Sequence, residues 1–312
     1  MKSQLLRGTL ILTIAGIITR LIGFIYRIFL ADELGSVNLG IYQLIFPVYS
    51  ICFTIYAAGI QTAVSQLVSH DAKRNHGSIL KSAITLSLSF SITLFFFIHN
   101  FRDPIAHHFL GSSQAGELLG ILSYIFPICG ITSVINGFFY GLNHAKIPAL
   151  TQIIEQLARV SFVFFICYIW ENSTKSIYIA VWGLVIGELC SNLFNLFHIR
   201  KYMTKKEFLY SPFCIGEIFR YSVPLSGTKL IIALLGSIES VLIPVVMQHY
   251  GYSASMSLGL YGILTGVVLP FILFPGTITN SLSVLLLPAI ARASGDRNDS
   301  QIRYTSSLTV RY

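Results

Sequence analysis

The chain reads as an all-α membrane protein, a polytopic bundle of transmembrane helices, on three observations. Of its 312 residues 54% are hydrophobic and only 11% charged, with a mean hydropathy of +0.71, whereas soluble domains carry about 25% charged residues. The apolar residues gather in runs of about 20 or more, the length that crosses a bilayer as a helix. The basic residues gather in alternate connections between those runs.

Eight runs follow in order. The first, residues 9–30, has no small-residue cleavage site and continues straight into Arg20, so it reads as a span and not a signal peptide. The second covers 40–68 and the third 79–98. After it, residues 101–110 (FRDPIAHHFL) suggest a short interfacial helix on the outside. Its adjacent His107 and His108 would point about 100° apart on a helix, which makes an interfacial role the better account and metal binding the lesser one. The fourth run is 118–140, the fifth 148–170 and the sixth 177–197. Residues 215–221 (IGEIFRY) look amphipathic and suited to the inner membrane surface. The seventh run, 223–248, comes next. The eighth, 258–291, is long, and Pro270, Pro275 and Pro288 predict kinks in it.

With the amino terminus in the cytoplasm, fifteen of the 21 lysines and arginines fall on inside segments and only Arg102 and Lys175 outside. The positive-inside rule selects that orientation. It also explains the net charge of +8 without a nucleic acid or other polyanionic partner. The remaining four, Arg20, Arg27, Arg159 and Lys229, stand inside apolar runs. Each costs roughly 3 kcal/mol at the centre of a lipid-facing helix, so each needs a cavity or a counter-charge.

The polar residues of several runs fall on single helix faces. Thr13, Gly16, Arg20, Gly23 and Arg27 follow at steps of three and four along the first run. The second carries Gln43, Pro47, Ser50, Thr54, Ala58, Gln61 and Ser65; the sixth carries Glu188, Ser191, Asn192 and Asn195. These stripes predict a wet interior. Glu155 and Arg159 stand one turn apart in the fifth run, in the favourable acid-first order, so they form a self-neutralising pair or contribute to the cavity. Lys229 and Glu239 share no face of the seventh run. The five cysteines lack CxxC spacing and read as apolar packing residues. No Walker A, HExxH, GxSxG or Rossmann fingerprint occurs, which argues against a soluble-enzyme chemistry and calls for no cofactor.

One repeat is visible. SVNLGIYQLIF (36–46) resembles SMSLGLYGILT (255–265), and GIQTAVSQLV (59–68) resembles GTITNSLSVLL (276–286). The offset spans six runs, an even number, so the halves would be parallel repeats about an axis along the membrane normal. Residues 1–212 then form a six-helix N-terminal lobe and 213–312 the start of a second. Completing that second lobe needs roughly another hundred residues, which predicts that the chain is part of a longer product.

Several stretches carry a resemblance to a known family. They are RGTLILTIAGIITRLIGFIYRIFLADELG (7–35), LGIYQLIFPVYSI (39–51), AAGIQTAVSQLVS (57–69), IPALTQIIEQLARV (147–160) and FRYSVPLSGTKLI (219–231). The chain resembles stage V sporulation protein B-like proteins, polysaccharide-biosynthesis membrane proteins of the multidrug/oligosaccharidyl-lipid/polysaccharide flippase superfamily. More distantly it resembles bacterial lipid II flippases. The resemblance implies two six-helix lobes around a central cavity in a bacterial cytoplasmic membrane. It also implies alternating-access export of a lipid-linked sugar precursor for peptidoglycan or polysaccharide. In lipid II flippases, cavity cations are thought to meet the substrate diphosphate. Arg20 matches the first helix-one arginine of that pattern, and Arg27 falls one position past the second, where Tyr26 stands.

The resulting expectation is a flippase for a polyprenyl-diphosphate sugar. Its cavity candidates are the cations Arg20, Arg27, Arg159 and Lys229 with the acids Glu155, Glu188 and Glu239. Sodium ions, protons or the membrane potential would drive it. A cation-coupled drug exporter of the same fold should carry an acid within the first helix, and none lies in that span. A non-transporting scaffold in envelope assembly is the third alternative.

Overall fold

The computed structural model describes residues 2–70, 76–169, 176–203 and 212–273. Helices make up nearly all of this, and no strand occurs among the described residues. Helix α1, Lys2–Phe53, is broken at Gly35, whose φ of 70° and ψ of 167° suit glycine alone. The break divides α1 into a first arm before Gly35 and a second arm after it. A π-helical turn, Thr54–Ala58, leads into α2, Gly59–His70. Then come α3 (His76–Pro104), α4 (Gln114–Ser123), α5 (Ile125–Gly141), α6 (Lys146–Ile169) and α7 (Ser176–Tyr202). Helix α8 is Ile215–His249, and α9, Ala254–Ile263, continues into a π-helical turn at Leu264–Val268.

Six helical stretches are long and apolar enough to cross a membrane, seven with α4 and α5 taken as one bent span. The first of them, Leu10–Ser69, contains the Gly35 break. Taking its two arms separately gives eight, in line with the eight apolar runs.

Three local expectations are corrected. Residues 101–110 are no separate interfacial helix: α3 runs on through Pro104 into a π-helical turn at Ile105–Phe109, where Leu110 N–H donates to the Ile105 carbonyl at 3.1 Å. The fourth run is two helices meeting at 43° around Tyr124. Pro127 explains this bend, because it lacks the N–H that the Ser123 carbonyl needs and its ring crowds that carbonyl. Residues 215–221 do not lie apart on the surface but form the first turns of α8. At 35 residues and 1.5 Å per residue α8 is about 52 Å long, well beyond the hydrocarbon core of about 30 Å. Pro275, Pro288, the repeat copy at 276–286 and the basic residues from Arg292 onward lie outside the described residues.

Two apolar clusters hold the bundle. One joins the second arm of α1 to α4, α5 and α7 through residues such as Leu39, Tyr56, Leu118, Phe126 and Val181. The other joins α2, α3 and α5 through Val64, Leu80, Val134 and Phe138, and reaches Ile218 at the start of α8. Helices α8 and α9 dock on the second run. A side chain at Gly40 would strike the Leu258 carbonyl, and one at Gly262 would strike the backbone of Gly40. Gly259 faces Ser36 and Gly266 faces Leu39 and Gln43, so position rises together on both helices and they run parallel. Such small-residue contacts substitute for a hydrophobic drive, which is weak inside lipid. The two described copies of the repeat thus pack side by side.

Candidate functional site

The stripe on the first arm of α1 places Arg20, Gly23 and Arg27 on the wall of a cavity of about 630 Å³. The second arm adds Tyr42 and Gln43, α6 adds Gln156 and Arg159, and Pro270 and Leu273 close the far side. Gly23 brings α6 near, since a Cβ there would stand 3.3 Å from the Gln156 amide nitrogen. Thr13 and Gly16 do not reach the cavity wall, and Gly16 faces open space.

The three arginines differ in setting. Arg20 and Arg27 are exposed. The Arg159 side chain is only 19% exposed; it forms an ion pair with Glu155 and donates from Nη1 to Gln156 Oε1 at 3.3 Å. Its Nε–H is buried without a partner, as is the hydroxyl of Tyr26, another residue of the same wall. No carboxylate stands among the described lining residues. The arrangement therefore offers an anion two open guanidinium forks, Arg20 and Arg27, with the Arg159 guanidinium beside them held by Glu155 and Gln156. Guanidinium matches the oxygens of phosphate in pairs, and the contact strengthens where water is excluded. The volume lies in the usual range for small-ligand sites, about 300–1,000 Å³.

Of the seven candidates, Arg20, Arg27 and Arg159 meet at the cavity, and Glu155 reaches it only through Arg159. The other three lie elsewhere. Glu188 is 6% exposed, inside the bundle between α5, α6 and α7. The stripe it belongs to meets protein: Asn192 donates to the Ile128 carbonyl and Thr132 Oγ1, each at 3.0 Å, and Asn195 donates to Asn136 Oδ1 at 3.0 Å. Thr151 donates to Asn195 Oδ1 at 2.8 Å. The wet interior expected for this stripe is instead a hydrogen-bonded seam. Lys229 of α8 donates to the Ala58 carbonyl at 2.8 Å and to Thr62 Oγ1 at 3.0 Å. Glu239, also on α8, is exposed and away from the cavity wall.

Two wall residues, Tyr26 and Tyr42, were not singled out from the sequence. The available signal for Tyr42 is the repeat, which keeps a tyrosine in both copies: Tyr42 and Tyr261, 4% and 2% exposed.

Comparison with known proteins adds the family context. A family profile described as "polysaccharide biosynthesis protein" matches residues 5–294. The chain is 28% identical to stage V sporulation protein B of Bacillus subtilis (strain 168), over 99% of this chain and 62% of that protein. It is 24% identical to the lipid II flippase MurJ of the same organism, over 94% of this chain and 59% of that one. The chain thus spans about three-fifths of the length of these relatives. Among solved structures, an outward-facing multidrug resistance MATE family transporter of the MOP superfamily superposes with a TM-score of 0.66 at 16% identity, covering 99% of this chain and 70% of that one. An inward-facing structure of such a transporter gives 0.64 at 15% identity, covering 100% and 67%. The helical bundle is therefore of the MATE type.

Proposed function

Because the chain belongs to the family of polysaccharide biosynthesis proteins, we propose that it carries an anionic, lipid-linked sugar precursor across a bacterial cytoplasmic membrane by alternating access. The substrate class is a polyprenyl diphosphate bearing sugar, destined for peptidoglycan or another envelope polysaccharide. One observation carries this reading: Arg20, Arg27 and Arg159, from two helices, converge on one cavity whose described wall holds no acid. A drug exporter that binds organic cations would need the opposite sign of charge there. All three arginines fall in the stretch assigned to the first lobe, 1–212, and Pro270 and Leu273 of the same wall fall in the stretch assigned to the second, 213–312.

Arg20 is the discriminating residue, since no described protein side chain neutralises it within the cavity wall. A charge-assisted hydrogen bond contributes about 1.5–3 kcal/mol, so Arg20→Ala should weaken binding of a polyprenyl diphosphate by about ten- to a hundredfold. Transport of a fluorescent lipid-linked sugar in proteoliposomes should be lost, with the variant still present in the membrane at normal abundance. Arg20→Lys should keep part of the activity, because a point charge replaces a planar fork. Transport by Arg20→Ala at the unmodified rate would refute the anionic-cavity reading. Loss of the protein from the membrane would instead make Arg20 a structural residue.

A further inference from the structure

Glu188 is the buried ionisable group that the cavity does not use. Its neighbour Gly187 explains its position. A Cβ on Gly187 would stand 2.7 Å from the Glu155 carbonyl oxygen and 3.1 Å from Arg159 Cβ, so α7 rests against α6 at the Glu155–Arg159 turn. That contact sets the Glu188 carboxyl in the field of both residues, with Cys129 and Thr132 of α5 within hydrogen-bonding reach. The remaining titratable neighbours are Tyr49 and Tyr56 from the second run.

The hydrogen-bond donors within reach of this carboxyl are weak or shared. The Thr132 hydroxyl lies 3.2 Å from the Ile128 carbonyl, which competes for its one proton, and its oxygen already accepts from Asn192. Both Asn192 bonds run to Ile128 and Thr132. Cys129 is a weak donor, 3.7 Å from the Tyr49 hydroxyl and 3.8 Å from Ser133 Oγ. Glu188 Oε1 is left buried without a partner. Charge points the same way. Arg159 is a single cation already paired with Glu155, and a second ionised carboxylate would leave this buried group with a net negative charge, at a cost of several kcal/mol. A hard metal cation fits poorly, because it seeks about six oxygen ligands and no cluster of three or more acidic, histidine or cysteine side chains stands together to hold one among the described residues.

We propose that Glu188 is a proton-binding site inside the N-terminal bundle, and that its proton decides how far Arg159 is available to an anion in the cavity. With the proton on, Arg159 answers to Glu155 alone and stays on the cavity wall. With the proton released to water, the Glu188 carboxylate becomes a second anionic partner that draws Arg159 inward and weakens the anion site. The protonated form thus binds the anion more tightly, rising pH loosens it, and binding near the titration midpoint takes up a proton. This second step rests on the anion-cavity reading, whereas the proton site itself does not.

Infrared spectroscopy on the protein in lipid nanodiscs tests the site. At neutral pH the unmodified protein should show a protonated-carboxyl C=O band that fades on alkaline titration and is missing from Glu188→Gln. The titration needs no variant, so it decides even if Glu188→Gln folds poorly. No such band, a band that Glu188→Gln retains, or a band that sodium rather than alkali removes would overturn the assignment. Binding of farnesyl diphosphate tests the link. Its affinity in the unmodified protein, divided by that in Glu188→Gln to cancel the ionisation of the diphosphate itself, should fall at least about fivefold between pH 6 and pH 9, the lower end of ordinary site-to-site coupling. A ratio that ignores pH would break the link to Arg159 while the band stands. Failure to bind at any pH would sink the anion cavity and the link together, and the infrared band would still decide the proton site.

Discussion

Arg159 has two attachments, an ion pair along its own helix and an edge on the cavity, and they can be separated experimentally. Reversing Glu155 or Arg159 alone sets two like charges one turn apart in a mostly covered site, which should cost about 3–5 kcal/mol. The combined Glu155→Arg and Arg159→Glu exchange should recover most of that stability, read as melting temperature and membrane abundance. It should not recover anion binding, because position 155 does not reach the cavity wall. Harmless single reversals would show that the pair faces solvent. The arginines were legible in the sequence because a charge in an apolar run is costly enough to need an explanation. Glu188 was legible as buried but not as lobe-internal, since a polar stripe looks the same whether water or another helix meets it. Tyr26 entered only as the residue standing at the second arginine position of the resembled pattern, and its place on the wall was not legible, because tyrosine is ordinary in a span.

At the scale of helices, hydropathy gave the number of spans and left their joints to be found. The first two runs are separated by one residue in a conformation that only glycine takes readily, rather than by the connection at 31–39 that the apolar pattern suggested. Gly35→Ala should therefore cost about 1–3 kcal/mol, read as a lower melting temperature. Gly16→Ala is the control, helical with nothing within 4 Å, and should be neutral or slightly stabilising. Equal effects of the two would show that the break does not depend on Gly35. The bend at Tyr124 had a visible cause in Pro127, but a proline near the middle of a long apolar run is also compatible with an unbroken, kinked span. Packing decides between these outcomes, and a linear pattern does not contain it.

For the whole molecule, the distribution of basic residues fixes how the bundle should sit in the membrane. In a background without the five native cysteines, a membrane-impermeant thiol reagent added outside should label Ser173→Cys and leave Asn75→Cys untouched; the reverse pattern would invert the topology. The pairing of helices was accessible only through the repeat, since its two LGxY copies are the segments that meet at Gly40 and Leu258. A further feature concerns time. Helix α8 sends one charged donor into the irregular part of the second run: the Lys229 ammonium donates to the carbonyl of Ala58, the last residue of the π-helical turn, and to Thr62 Oγ1. When α8 leaves the second run in the proposed cycle, the ammonium gives up both acceptors until water replaces them. At about 1.5–3 kcal/mol for a hydrogen bond to a charged group, that delay lengthens the docked interval by roughly one to two powers of ten. The irregular turn would then act as a clock, setting how long a captured headgroup is held before the bundle reopens.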